Sequence, residues 1–168
     1  MKYNVGQYVV YRSNGVCRVE AIGKLQFLQN GNGDYYTLRS PFVTGDGCSY
    51  IPTEKESCLR AVITPDEARG YLGELAEMPA EPCGEKKHQL LVSHYQELLS
   101  SSDLSEHLRL FKEVNLKDRV EKKKGKRLSA TDEQYKRKVE QLLSEEFAVA
   151  LNETPAASKE RLYAALEH

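Results

Sequence analysis

Three histidines, His88, His94 and His107, and four cysteines, Cys17, Cys48, Cys58 and Cys83, are the side chains best suited to holding a metal ion. Their spacing assembles no site: His88 and His94 lie six residues apart, His107 belongs to another helix, and no cysteine sits at zinc-site separation. His88 is expected to face solvent, and His107, four residues after Asp103, to form a local helix pair. Gly31-Asn32-Gly33 resembles a phosphate loop but lacks the third glycine and the helix that would aim amides at a phosphate, so it reads as a hairpin turn. No Walker Gly-Lys-Ser/Thr occurs, and Gly45-Asp46-Gly47 offers a lone acid where calcium needs a cage. No nucleophile elbow sets a serine against His and Asp, and Glu145-Glu146 reads as a solvated helix surface. The expectation is a chain that is not an enzyme and uses no metal or cofactor.

Two other clusters point to contact rather than catalysis. Six of the ten tyrosines fall at positions 3, 8, 11, 35, 36 and 50. Tyrosine joins a large apolar face to a hydroxyl, so these residues suit either a half-buried sheet or a binding face. Lys117, Arg119, Lys122, Lys123, Lys124, Lys126 and Arg127 lie within eleven residues that contain only Asp118 and Glu121 as acids. Such a tract can contact phosphates without reading base sequence; the alternative is a solvated loop between helices.

The elements that position these clusters change character near residue 64. Before it, Tyr8-Val9-Val10-Tyr11 and Val16 to Ile22 read as strands around a turn at Ser13-Asn14-Gly15. In the second run Val16 fits the alternation only by facing the other side. Asn30-Gly31-Asn32-Gly33-Asp34 is the strongest turn, followed by strands at Tyr35–Arg39, Ser49–Ile51 and Leu59–Ile63. Strands this short suggest an antiparallel sheet curled into a small barrel, which would hide its edges. After residue 64 the period is helical. Thr64-Pro65, Asp103 with Glu106, Ser129 with Asp132, and Thr154-Pro155 mark helix starts. Leu104, Leu108, Phe111 and Val114, then Tyr135, Val139, Leu142, Leu143, Phe147 and Ala150, supply buried stripes. The expected fold class is α+β, with an N-terminal module at 1–64, an all-α domain at 65–166 and a linker-like stretch at 79–84. Glu167 and His168 read as tag residues.

The 168 residues suffice for two small domains, and 40% hydrophobic content sustains real cores. A net charge of −1 gives no global attraction to nucleic acid. No apolar run has the length of a membrane span, no signal peptide is seen at the start, and four cysteines without a CxxC pair fit a reduced cytoplasmic setting.

The combined pattern resembles the CarD/CdnL family of bacterial transcription regulators. The residues that carry the resemblance are Val5-Gly6-Gln7-Tyr8-Val9-Val10-Tyr11, Gly15-Val16, Val19-Glu20-Ala21-Ile22, Tyr35-Tyr36-Thr37-Leu38, Ile51-Pro52 and Leu59-Arg60. Tyr95 through Asp103, Arg127-Leu128-Ser129 and Leu142 through Ala148 extend it into the helices. The first signature also occurs in transcription-repair coupling factors.

The resemblance implies a Tudor-like N-terminal barrel that binds the RNA polymerase β subunit through exposed sheet structure. Tyr11, Arg12, Tyr35, Tyr36, Leu38, Arg39, Tyr50, Ile51 and Pro52 are the residues it assigns to that contact. It implies a helical domain that reaches promoter DNA, without sequence preference and conditional on polymerase, and stabilises the open complex. Lys86, Lys87, His88, Lys122, Lys123, Lys124, Lys126 and Arg127 would contact DNA. The free chain is expected to be a monomer. One departure matters: the family commonly places a Trp wedge near the start of the second helix, whereas this chain has His88 there and no Trp at all. Leu90 and Leu91 also replace the basic residues that usually follow. A protein–protein adaptor without DNA contact, and an RNA binder using tyrosine stacking, are the rival readings.

Overall fold

The computed structural model describes residues 2–11, 14–28, 33–43 and 47–167. The chain forms two compact units, Met1–Val62 and Ile63–His168. Arg12, Ser13, Asn30-Gly31-Asn32 and Gly45-Asp46, where sequence places a contact residue and turns, fall outside the described residues.

The first unit holds β1 (Tyr8–Tyr11), β2 (Gly15–Gly23), β3 (Tyr35–Arg39), β4 (Ser49–Pro52), a 3-10 helix (Thr53–Cys58) and β5 (Leu59–Ala61). The strands form one antiparallel sheet in the order β4-β3-β2-β1-β5. The expected Tudor-like barrel is therefore corrected: β4 pairs only with β3 and β5 only with β1, so the sheet is open. Closure would require β5 to pair with β4. Instead the 3-10 helix carries the chain from one edge to the other, and strands of four and three residues offer little ladder with which to close.

The face of this sheet that carries the core is built by Val9, Cys17, Val19, Tyr36, Leu38, Ile51 and Leu59, with Tyr3 packed among them. A bulge between Val19 and Ala21 explains why β2 does not alternate cleanly. The extra residue resets the two-residue period, so Ile22 returns to the core where Ala21 would otherwise stand. Val16 pairs with Val10, and both are buried outside that core, as the second-side reading of Val16 requires. Tyr36 donates to Glu56 at 2.6 Å, and Tyr3 donates to the Leu59 carbonyl at 3.1 Å.

The second unit contains α1 (Pro65–Glu77), α2 (His88–Leu99), α3 (Leu104–Lys123), α4 (Ala130–Leu151) and α5 (Pro155–Leu166). Thr64 and Glu67 make a reciprocal capping box for α1, whereas Asp103 caps α3 through Ser105 N rather than with Glu106. Lys112 closes the other end of α1 by donating to the carbonyls of Leu75, Ala76 and Met78 at 2.6–3.3 Å. One apolar core joins all five helices, with Leu75, Tyr95, Leu108, Phe111, Val139, Leu143 and Leu162 among its members.

One expectation about polar residues fails here. Glu145 and Glu146 are not solvated: they are 9% and 3% exposed, because α4 packs against the four other helices. Glu146 accepts a hydrogen bond from Ile63 N at 3.2 Å, and burial pushes the Glu145 carboxyl above its usual range. His107 is buried at 6% exposure, with its Nε2 2.8 Å from the Leu99 carbonyl oxygen.

Candidate protein and nucleic-acid interfaces

The contact residues expected on the sheet separate by face. Tyr35, Tyr36, Thr37 and Leu38 stand opposite Pro52, Ile51, Tyr50 and Ser49. Strand alternation then sends Tyr36, Leu38 and Ile51 into the core, where they position the strands and present little surface. Tyr35, Arg39, Tyr50 and Pro52 occupy the other face of the β3–β4 edge, Tyr50 being 41% exposed. Tyr11 packs half-buried against the core from β1, two strands removed from β4. The Tyr36 hydroxyl is pushed above its usual range by burial and by its bond to Glu56.

Phe27 and Leu28 were not legible as surface residues. They sit in a turn after β2, closed by Leu28 N donating to the Leu25 carbonyl at 3.2 Å. Phe27 is 63% exposed, and its ring meets Tyr50 edge-on at 5.2 Å between centroids. The available signal was the placement of two large apolar residues in a turn, where small polar ones are the rule.

The basic tract is also divided. α3 continues to Lys123, so Lys117, Arg119, Lys122 and Lys123 are helical and the expected loop is confined to the residues after it. Lys117 is drawn inward to Asp132 at 3.0 Å, where Tyr95 and Ser129 donate to the same carboxylate. Burial alone would raise the Asp132 carboxyl; these three bonds outweigh it and hold the group below its usual range. Arg119 pairs with Glu167, Lys122 with Asp118 at 3.1 Å, and Lys124 approaches Glu121 at 4.0 Å. Lys123, Lys126 and Arg127 are exposed and have no ion-pair partner among the described residues. Gly125, at φ +73°, makes the left-handed turn that ends α3, with Lys126 N donating to Glu121 O and Gly125 N to Lys122 O.

Lys86, Lys87 and His88 are exposed at the start of α2. Lys87 is the N-cap and supplies no side-chain cap, and cations here oppose the helix dipole. His94 lies 2.7 Å from Glu113, but among the described residues no three His, Cys, Asp or Glu gather to hold a metal ion.

An open antiparallel sheet with polar and aromatic residues exposed along one edge offers a surface for protein contact. Residues 3–63 match the CarD-like/TRCF RID domain family. The N-terminal unit is a CarD-like/TRCF RID domain. RID domains of this kind are non-catalytic regulatory modules, and the match supports a general role for this unit in transcription and RNA-polymerase interaction. The five helices lie beyond the matched residues. No curated protein matches the chain. No helix among the described residues is long and apolar enough to cross a membrane.

Proposed function

We propose that the chain is a transcription regulator that binds the RNA polymerase β subunit through the β3–β4 edge of its RID domain and modulates the stability of the promoter open complex. The observation that carries the reading is the RID match over residues 3–63, combined with an edge strand, β4, that has a neighbour on one side only. An open edge takes an added strand through main-chain hydrogen bonds, while outward side chains such as Tyr35, Arg39 and Tyr50 select the partner. The helical unit then holds Lys123, Lys126 and Arg127, with Lys86, Lys87 and His88, for sequence-independent phosphate contact near the bound promoter. Polymerase binding raises the local concentration of those weak contacts.

A second reading has specific support: the ion pairs of Lys117, Arg119 and Lys122 neutralise part of the tract, which favours an adaptor that binds polymerase without touching DNA. Two measurements on the full chain separate these. Affinity for the isolated β subunit should fall at least tenfold (about 1.4 kcal/mol) when Tyr35, Arg39 and Tyr50 are replaced by Ala together; no binding by wild type would end both readings. Open-complex lifetime should shorten or lengthen when Lys123, Lys126 and Arg127 become Ala, with β-subunit affinity unchanged. An unaltered lifetime leaves the adaptor.

A further inference from the structure

The chain passes from sheet to helices with little slack. Leu59 of β5 belongs to the sheet core, whereas Ile63, 8% exposed, belongs to the helical one. The pairing of β5 with β1 ends at Ala61, and the capping box that starts α1 begins at Thr64. Ile63 and Ala68, both in the helical core, hold the two positions of a hydrophobic staple, which fixes the angle at which a chain enters its helix. The Ile63 amide is also held from a distance. It donates at 3.2 Å to the carboxylate of Glu146, 83 residues along the chain on α4. Val62 is therefore the one residue between the last pair of the ladder and that anchor.

Glu146 is 3% exposed, and burying a carboxyl group is costly unless hydrogen bonds compensate it. A position that only had to pack would carry an apolar side chain, as α4 does at Leu142, Leu143 and Phe147. Its neighbour Glu145 is bonded within α4, by Gln141 at 3.3 Å. Glu146 instead reaches out of its helix to main chain at the entrance of the helical unit.

We propose that Glu146 is a positioning residue: by clamping the Ile63 amide to α4 it leaves Val62 as a one-residue joint, so that an RID domain held on polymerase presents Lys123, Lys126 and Arg127 to the promoter backbone at high effective concentration. One residue spans at most about 3.5 Å. The effective concentration of a tethered group falls with roughly the −3/2 power of tether length, so a joint this short loses most from each residue added to it. This inference rests on the polymerase and open-complex reading above and adds the device that would link its two halves.

The test is open-complex lifetime with polymerase and the full chain at saturation, beside affinity for the isolated β subunit. The tract effect is the ratio of the lifetime with the native tract to that with Lys123, Lys126 and Arg127 changed to Ala. Glu146→Met removes the acceptor at similar side-chain length and should cut the tract effect about twofold or more, with β-subunit affinity unchanged. Glu146→Gln keeps an oxygen for the Ile63 N–H and should preserve the effect. Gly-Ser-Gly inserted between Val62 and Ile63 leaves the helical contacts in place and should reduce the effect further, which a purely structural role of Glu146 does not predict. Hydrogen exchange at the Ile63 amide should quicken about tenfold or more in Glu146→Met and stay near wild type in Glu146→Gln. If Glu146→Met does not fold by circular dichroism, the insertion decides. A tract effect unchanged in the insertion variant, or unchanged Ile63 exchange in a folded Glu146→Met, overturns the positioning role while the polymerase reading stands. Should the triple Ala variant itself leave the lifetime unaltered, the open-complex reading and this inference fall together.

Discussion

The two units use their side chains in opposite ways. Of the eight large hydrophobic residues exposed among the described residues, six lie in the RID unit: Val5, Phe27, Leu28, Phe42, Val43 and Tyr50. The helical unit exposes only Leu90 and Val120 in that class, although it is the longer of the two. It instead draws charge inward: Lys117 to Asp132, Lys136 to Asp118, Lys112 onto three carbonyls, and Glu113 beneath His94 and Arg109. A sheet with a single compact core leaves apolar surface for a partner, while a bundle wrapped on all sides turns even its cations into structure. The lesson is that a basic tract in a helical sequence overstates the charge available to a ligand.

Asp132→Ala should break this contrast most severely. It leaves Lys117 without its carboxylate and removes the acceptor of Tyr95, so urea unfolding followed by helical ellipticity should show a loss of about 3–5 kcal/mol. The same carboxyl sets an acid limit. Its folded value lies below the unfolded one, so its stabilisation is complete above about pH 4 and disappears as pH falls through the folded value. The acid sensitivity of the helical signal should therefore diminish in the variant.

Tyr36→Phe should act on the sheet instead. Losing the donor to Glu56 and the acceptor for Tyr3 N should lower the stability of the RID unit by about 1–2 kcal/mol in urea, with helical stability unchanged.

Third in size is the phosphate contact. With Lys123, Lys126 and Arg127 changed to Ala, the dependence of log affinity on log salt for promoter DNA in the polymerase-bound state should flatten by about 2–3. Lys117→Met should leave that slope alone and cost stability, since Lys117 faces Asp132.

Glu145→Gln should give the smallest change, a gain within about 1 kcal/mol at neutral pH. Its carboxyl is raised by burial, so stability is lost as pH rises through the raised value, and the amide removes that loss. Thermal midpoints across pH 4–8 check the sign.

Much of this was written locally in the chain. Thr64-Pro65, Asp103, Ser129 and Thr154-Pro155 start helices where their capping chemistry says they should, and the stripes on α3 and α4 are buried as their spacing demands. Sheet closure was not legible, because whether β5 pairs with β1 or with β4 is a long-range choice made by the 3-10 helix between them. The burial of Glu145 and Glu146 depends on four neighbouring helices rather than on their own sequence. Of the contact residues read from the sheet, alternation separates outward Tyr50 from buried Tyr36 and Ile51, while the bulge at Val19/Ala21 shifts the phase of β2 alone. Phe27 gave no signal beyond being apolar in a turn, since its partner Tyr50 lies far along the chain.

The central claim is that the RID sheet edge, and not the helical unit, is the polymerase anchor. Backbone amide chemical shifts of the full isotope-labelled chain, titrated with the polymerase β subunit, test it most directly. The account predicts shifts concentrated at residues 25–28, 35–39 and 49–52, with the amides of α1–α5 unmoved. Shifts concentrated on the helices, or no shifts at saturating β subunit, would contradict it.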